Sequence, residues 1–140
     1  LMRNAFLVSG ALGLVVFVTF PVAPPRLTDM DVVDTVTKYS RSYRVLQPSG
    51  FVNQYAAMPS LHFGWNLLLG IALAWQGPWR VVRALGWVVP ALMALAVVLT
   101  ANHFVRDVVA GGALALFGLL VAWRARPWLE RRGPLASIFS

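Results

Sequence analysis

Four long apolar runs constrain this chain more than any other feature. They lie at about residues 5–22, 61–75, 84–101 and 108–123, and none of them contains Asp, Glu, Lys or Arg. Runs of this kind approach the roughly 20 apolar residues that carry a helix across a bilayer. Composition agrees: hydrophobic residues make up 59% of the chain and charged residues 12%, against about 25% charged in a soluble domain. Mean hydropathy is +0.69. The expected fold is an all-α integral membrane helix bundle, a single domain over residues 1–140 with four transmembrane helices.

The boundaries follow from local chemistry. Pro21, Pro24 and Pro25 end the first run, because proline lacks the donor that a helix interior needs. A polar stretch follows, about residues 24–60, with Asp31 to Tyr43 expected as a short helix on the membrane surface and Gln47-Pro48-Ser49-Gly50 as a turn. Gln76-Gly77-Pro78 closes the second run, and Pro90 is expected to kink the third. The fourth is rich in Gly and Ala, as close helix packing requires. Trp65, Trp75 and Trp123 stand near span ends and read as an aromatic belt.

The net charge of +7 does not point to nucleic acid. The arginines flank apolar runs, where they set topology or meet anionic headgroups. With the N-terminus in the cytoplasm, Arg3, Arg80, Arg83, Arg124, Arg126, Arg131 and Arg132 lie inside, against Arg26, Lys38, Arg41, Arg44 and Arg106 outside. That count puts the long polar loop on the extracytoplasmic face of a cell membrane. There is no cysteine, so thiolate metal sites, disulfides and cysteine nucleophiles are excluded. The first run has no cleavage-site pattern and reads as a span rather than a signal peptide.

Alternating spans have a consequence for chemistry. The long loop and the short Asn102–Arg106 connection share one face, so His62, His103, Arg26 and Asp107 meet the same membrane surface. His103 and Asp107 are spaced i, i+4 and would share a helix face if the fourth helix began near Asn102. A carboxylate beside an imidazole fixes its tautomer and supports its protonated form, which makes His103 the better nucleophile or base. His62 has no acid within helical reach and suits a general acid. Arg26 could grip two phosphoryl oxygens. These parts compose a phosphoryl-transfer site that needs no metal or other cofactor. A metal site on His62, His103 and Asp107 lacks the tight HxxH or HExxH spacing that would support it.

The residues also carry a resemblance. APPRL (Ala23–Leu27), MPSLH (Met58–His62) and HFVRD (His103–Asp107) resemble the three motifs of the type 2 phosphatidic acid phosphatase superfamily. The match is nearest to its inositolphosphotransferase branch, which includes inositolphosphorylceramide synthase. The resemblance implies a six-helix bundle of which four helices are visible, with further helices upstream of Leu1. It implies that His103 forms a phosphohistidine, with Asp107 as its charge partner and His62 as the acid for the leaving group. Ser60 and the backbone near it would hold phosphate oxygens, and Arg26 would match the basic residue of the first motif. Two departures stand out. Val97 occupies the place of an arginine found in the phosphatase branch, and the first motif lacks a lysine upstream of Arg26. Arg106, Arg41 or Arg44 would then share the phosphate grip.

The sequence therefore predicts a membrane-embedded lipid phosphatase or phosphotransferase, with a lipid phosphate as substrate and an alcohol such as inositol as a candidate acceptor. The alternative is a non-catalytic membrane bundle or lipid-binding partner subunit, in which the motif residues serve packing. The two differ in whether His62 and His103 stand close enough to share one phosphate.

Overall fold

The structure is a computed structural model and describes residues 1–28 and 55–130. The expected surface helix at Asp31–Tyr43, the turn at Gln47–Gly50, Arg41, Arg44 and the segment after Glu130 lie outside the described residues. Within them the chain forms four α-helices: α1 (Met2–Thr19), α2 (Leu61–Gln76), α3 (Arg80–Leu99) and α4 (Val105–Glu130). A short 3-10 turn, Pro25–Leu27, follows α1. No β-strand is present among the described residues.

Helix ends differ from expectation in instructive ways. α1 stops at Thr19 rather than Val22, because the residue before Pro21 is sterically pushed out of the helical region. Val22 instead pairs with the returning chain: its N–H donates to Tyr55 O at 2.7 Å, and Ala57 N–H donates to its carbonyl at 3.1 Å. α3 begins at Arg80, so Arg80 and Arg83 lie in the helix rather than before it. α4 runs on to Glu130, through Pro127, where a basic tail was expected.

α1, α3 and α4 are long and apolar enough to cross a membrane. α2 has 16 residues, and at 1.5 Å per residue it spans about 24 Å. The distribution of side chains is that of a bilayer protein. Ala5, Ser9 and Gly13 are buried on α1, while Leu7, Leu14, Val15 and Val18 are exposed. On α3, Gly86 and Pro90 are buried, while Val81, Leu85, Val88, Leu92, Leu95 and Leu99 are exposed. In water such an apolar surface would drive aggregation. In lipid it meets its own solvent, and small residues let the helix backbones approach.

α2 packs chiefly against α3 and α4, and α1 chiefly against α4. Each contact passes through small residues. A Cβ at Gly64 would stand 2.6 Å from Gly111 O, and one at Gly118 would stand 2.8 Å from Ala5 O. Gly70 and Gly86 make the matching close crossing of α2 with α3, against the ring of Pro90. The antiparallel run of helices brings the segments after α1, before α2 and between α3 and α4 to one end of the bundle.

Candidate active site

Three connecting segments meet at that end and are tied by backbone hydrogen bonds. Arg26 N–H donates to Ala101 O at 3.2 Å, and Ser60 N–H donates to Asp107 O at 2.9 Å. Ser60 O rests directly on α4: a Cβ at Gly111 would stand 2.1 Å from it. The loop before α2 is thus seated on the first turns of α4.

His103 lies before α4, not on it, because that helix starts at Val105. The expected i, i+4 helical pairing with Asp107 is therefore not what holds the ring. Ala101 takes a left-handed backbone conformation, φ 55°. The turn folds back so that Asn102 N–H and His103 N–H both donate to Val97 O, at 3.1 and 2.9 Å. Val97, where the sequence departs from the phosphatase pattern, serves the site through its carbonyl.

His103 Nδ1 lies 2.7 Å from Ala57 O. A carbonyl can only accept, so Nδ1 carries the proton and Nε2 keeps its lone pair. The Asp107 carboxylate is farther, with Oδ2 at 3.9 Å from Nδ1. The tautomer is thus set by Ala57, a backbone group that no sequence pattern marks, rather than by the acid. Asp107 Oδ2 instead accepts from Phe104 N–H at 2.8 Å, reaching back to cap α4 as an acid in a first turn does. Asp107 is fully buried, and its Oδ1 has no hydrogen-bond partner. Arg106 Nε lies 3.7 Å from that oxygen.

His62 stands on the first turn of α2 and is exposed. Its ring centroid is 5.8 Å from that of His103, at 55° between planes. The two histidines, 41 positions apart in the chain, are therefore side by side. Burial lowers the His103 pKa from its ordinary value; the hydrogen bond to Ala57 opposes this, and His62 and Arg26 add to it by repulsion. The ring is held neutral, the form in which a nitrogen can attack.

The structure also shows how the candidate phosphate ligands are used. Ser60 is fully buried and caps α2, its Oγ accepting from Phe63 N–H at 3.4 Å. Its own N–H is given to Asp107 O. Arg26 Nη1 donates to Asn102 Oδ1. Arg106 is drawn over the Phe104 ring, 4.6 Å from its centroid. Among the described residues, no group of three His, Cys, Asp or Glu gathers as a metal site would. Asn102 and Ala57 escaped the sequence reading; Asn102 stands directly before a singled-out histidine, which is the signal that could have found it.

Fold and site define a class: a helical membrane protein whose described residues bring two adjacent histidines, a buried carboxylate and an arginine to one end of the bundle. The sequence pattern of the PAP2 superfamily matches residues 1–121, and the chain belongs to that superfamily. Its function is accordingly of the phosphatase type, that of a phosphoesterase. No curated protein and no solved structure matches it.

Proposed function

We propose that this protein takes a phosphoryl group from a lipid phosphoester onto His103 and passes it to a hydroxyl. The acceptor is an alcohol such as inositol in the transferase reading, and water in the hydrolase reading. The observation that carries the proposal is the His103 ring, fixed through Nδ1 by Ala57 O and set 5.8 Å from the His62 ring. In the first step the Nε2 lone pair attacks phosphorus. The phosphorus–oxygen ester bond breaks, and His62 gives a proton to the departing oxygen. The His103 ring then holds the phosphoryl group and a positive charge, which buried Asp107 opposes. In the second step neutral His62 takes the proton of the incoming hydroxyl, the new phosphorus–oxygen bond forms, and the phosphorus–nitrogen bond breaks.

Arg26 and the first-turn N–H groups of α2 form the cradle for the phosphoryl oxygens, since unsatisfied amides and the helix dipole favour an anion there. Ser60 contributes through the helix start it caps, and Arg106 as a neighbouring positive charge. The arginine count supports the extracytoplasmic face for this site. The MPSLH form of the second motif favours transfer within an inositolphosphotransferase-like branch.

The test is phosphate release by the detergent-solubilised protein from phosphatidic, isoprenyl and inositol-containing lipid phosphates, with chelator present. Formation of a new phospholipid when inositol is added marks transfer. His103→Ala is expected to remove at least about a thousandfold of the activity. Equal activity in His103→Ala and wild type would end this assignment.

A further inference from the structure

We propose that Asn66 is a specificity-determining residue: it reads the linkage group that a lipid phosphate carries a few bonds beyond phosphorus, an ester in a glycerol lipid or an amide and hydroxyl in a sphingoid one. The inference rests on the phosphoryl-transfer reading of the site and deepens it by naming the substrate class. It begins with the side of α2 that none of the described helices crosses. Leu61 and Trp65 face α1, where Gly13 and Gly10 make room for them and Phe6 meets the Trp65 ring edge-on at 5.9 Å. Gly64 crosses α4, and Gly70 crosses α3. With about 3.6 residues per turn, the side turned from all three carries His62, Asn66, Leu69 and Leu73. His62 and Leu69 are exposed, and Asn66 and Leu73 are half-buried.

From the histidine end inward, that stripe runs imidazole, amide, leucine, leucine. A lipid phosphate has the same order along its length: an anion, a polar linkage, then hydrocarbon. Asn66 stands one turn past His62, about 6 Å farther along the helix. The few bonds between phosphorus and the linkage group cover that distance.

The bonding of the amide points to a ligand rather than to packing. An asparagine at membrane depth is costly unless partnered, and one that glues a bundle bonds across to another helix. Asn66 bonds within its own helix instead: Nδ2 donates to His62 O at 2.9 Å. A carbonyl only accepts, so this bond fixes which end of the amide is which. The second Nδ2 proton and Oδ1 bond no other group among the described residues. The proton can be given to an ester carbonyl, and Oδ1 can accept from an amide N–H or a hydroxyl. An isoprenyl phosphate offers neither, because hydrocarbon follows its phosphate directly. A site built to bond a polar group discriminates against a ligand that lacks it.

The experiment compares kcat/KM of the full chain for phosphatidic acid, ceramide phosphate and an isoprenyl phosphate. Each is held at one mole fraction in mixed detergent micelles, with inositol present and consumption of the lipid phosphate as the readout. Wild type, Asn66→Leu and Asn66→Ala are run, and ratios between substrates are taken within each preparation, so a loss of folded protein cancels. Wild type is expected to favour phosphatidic acid or ceramide phosphate over the isoprenyl phosphate. Both variants should lower that preference about tenfold while the isoprenyl rate holds. Which of the two linked lipids loses its advantage names the source of the polar group. A wild type that favours neither would overturn the inference. So would unchanged ratios in both variants or an equal loss on every substrate, complete loss included, which marks a packing role. In each of these cases the phosphoryl-transfer reading stands. If wild type consumes none of the three, that reading fails and the inference falls with it.

Discussion

The two ends of the helix bundle handle polarity in opposite ways. At the histidine end the polar groups are inside: Ser60 and Asp107 are fully buried, and His103 is 6% exposed. Each is tied to a different segment of the chain, His103 to Ala57 and Ser60 to Asp107. At the far end Arg80 and Arg124 are exposed, among Trp75, Trp79 and Trp123, which are exposed too. Asp107, at the histidine end, is the sole carboxylate among the described side chains. Polar groups at membrane depth are costly unless partnered, so the first end is defined by specific contacts. The second obeys a general preference of cations and indole rings for the interface. One end should be intolerant of exchange and the other tolerant.

The sharpest way to break this comparison is Gly111→Ala. Its Cβ would meet Ser60 O at 2.1 Å, and backbone atoms on both sides leave little room to yield. A loss of about 1–3 kcal/mol is expected, together with reduced turnover as the Ser60–His62 segment shifts. Gly112→Ala, whose new atom meets the Phe63 ring edge at 2.9 Å, should cost less because a side chain can move. Thermal melts of the two variants in one detergent decide the point, and a wild-type melt for Gly111→Ala would break the comparison.

A smaller effect comes from acid. Burial lowers the proton affinity of His103 in the folded protein, whereas the unfolded chain binds protons with the ordinary imidazole value of 6.5. Below that value the unfolded state holds more protons, so stability falls with pH until the folded pKa is passed. The stabilising contribution of the neutral ring is complete only above 6.5, the unfolded value. Melting temperature should decline as pH drops below 6.5, and His103→Gln should lose part of that decline. An identical pH profile in the variant would remove His103 as the cause. The smallest effect belongs to the far end: Arg124→Gln is expected to stay within about 0.5 kcal/mol of wild type, with turnover unchanged. A large loss there would mean that the tolerant end is not tolerant.

The sequence made the helices legible because apolar runs and prolines carry their message locally. Their ends were read less well, since capping depends on single residues: Phe20 before Pro21 shortens α1, and Asp107 capping Phe104 starts α4 late. That His62 and His103 share one membrane face followed from alternating spans; that their rings stand 5.8 Å apart did not. The hand that holds His103 did not. Ala57 acts through its carbonyl, and every residue has a carbonyl, so nothing in the alphabet distinguishes it. Gly111 was legible as a small packing residue but not as the seat of Ser60, which requires knowing which backbone crosses it. Asn102 is ordinary connecting chain in the sequence, and its bonds to Thr100 and from Arg26 exist only in the folded turn.

The shortness of α2 has a consequence for the host membrane. α2 has 16 residues and α4 has 26, so they measure about 24 and 39 Å, against a hydrocarbon core of roughly 30 Å. The charge-free run of α4, 108–123, is about as short as that of α2, 61–75, so a change in membrane thickness bears on the tilt of both helices. The two cross backbone to backbone at Gly64 and Gly111, one turn from His62 and Asp107, so a change of tilt reaches the spacing of the reacting groups with almost no intervening structure. Lipid chain length would then act on this protein as a physical effector, tuning turnover through thickness alone and without binding to any site.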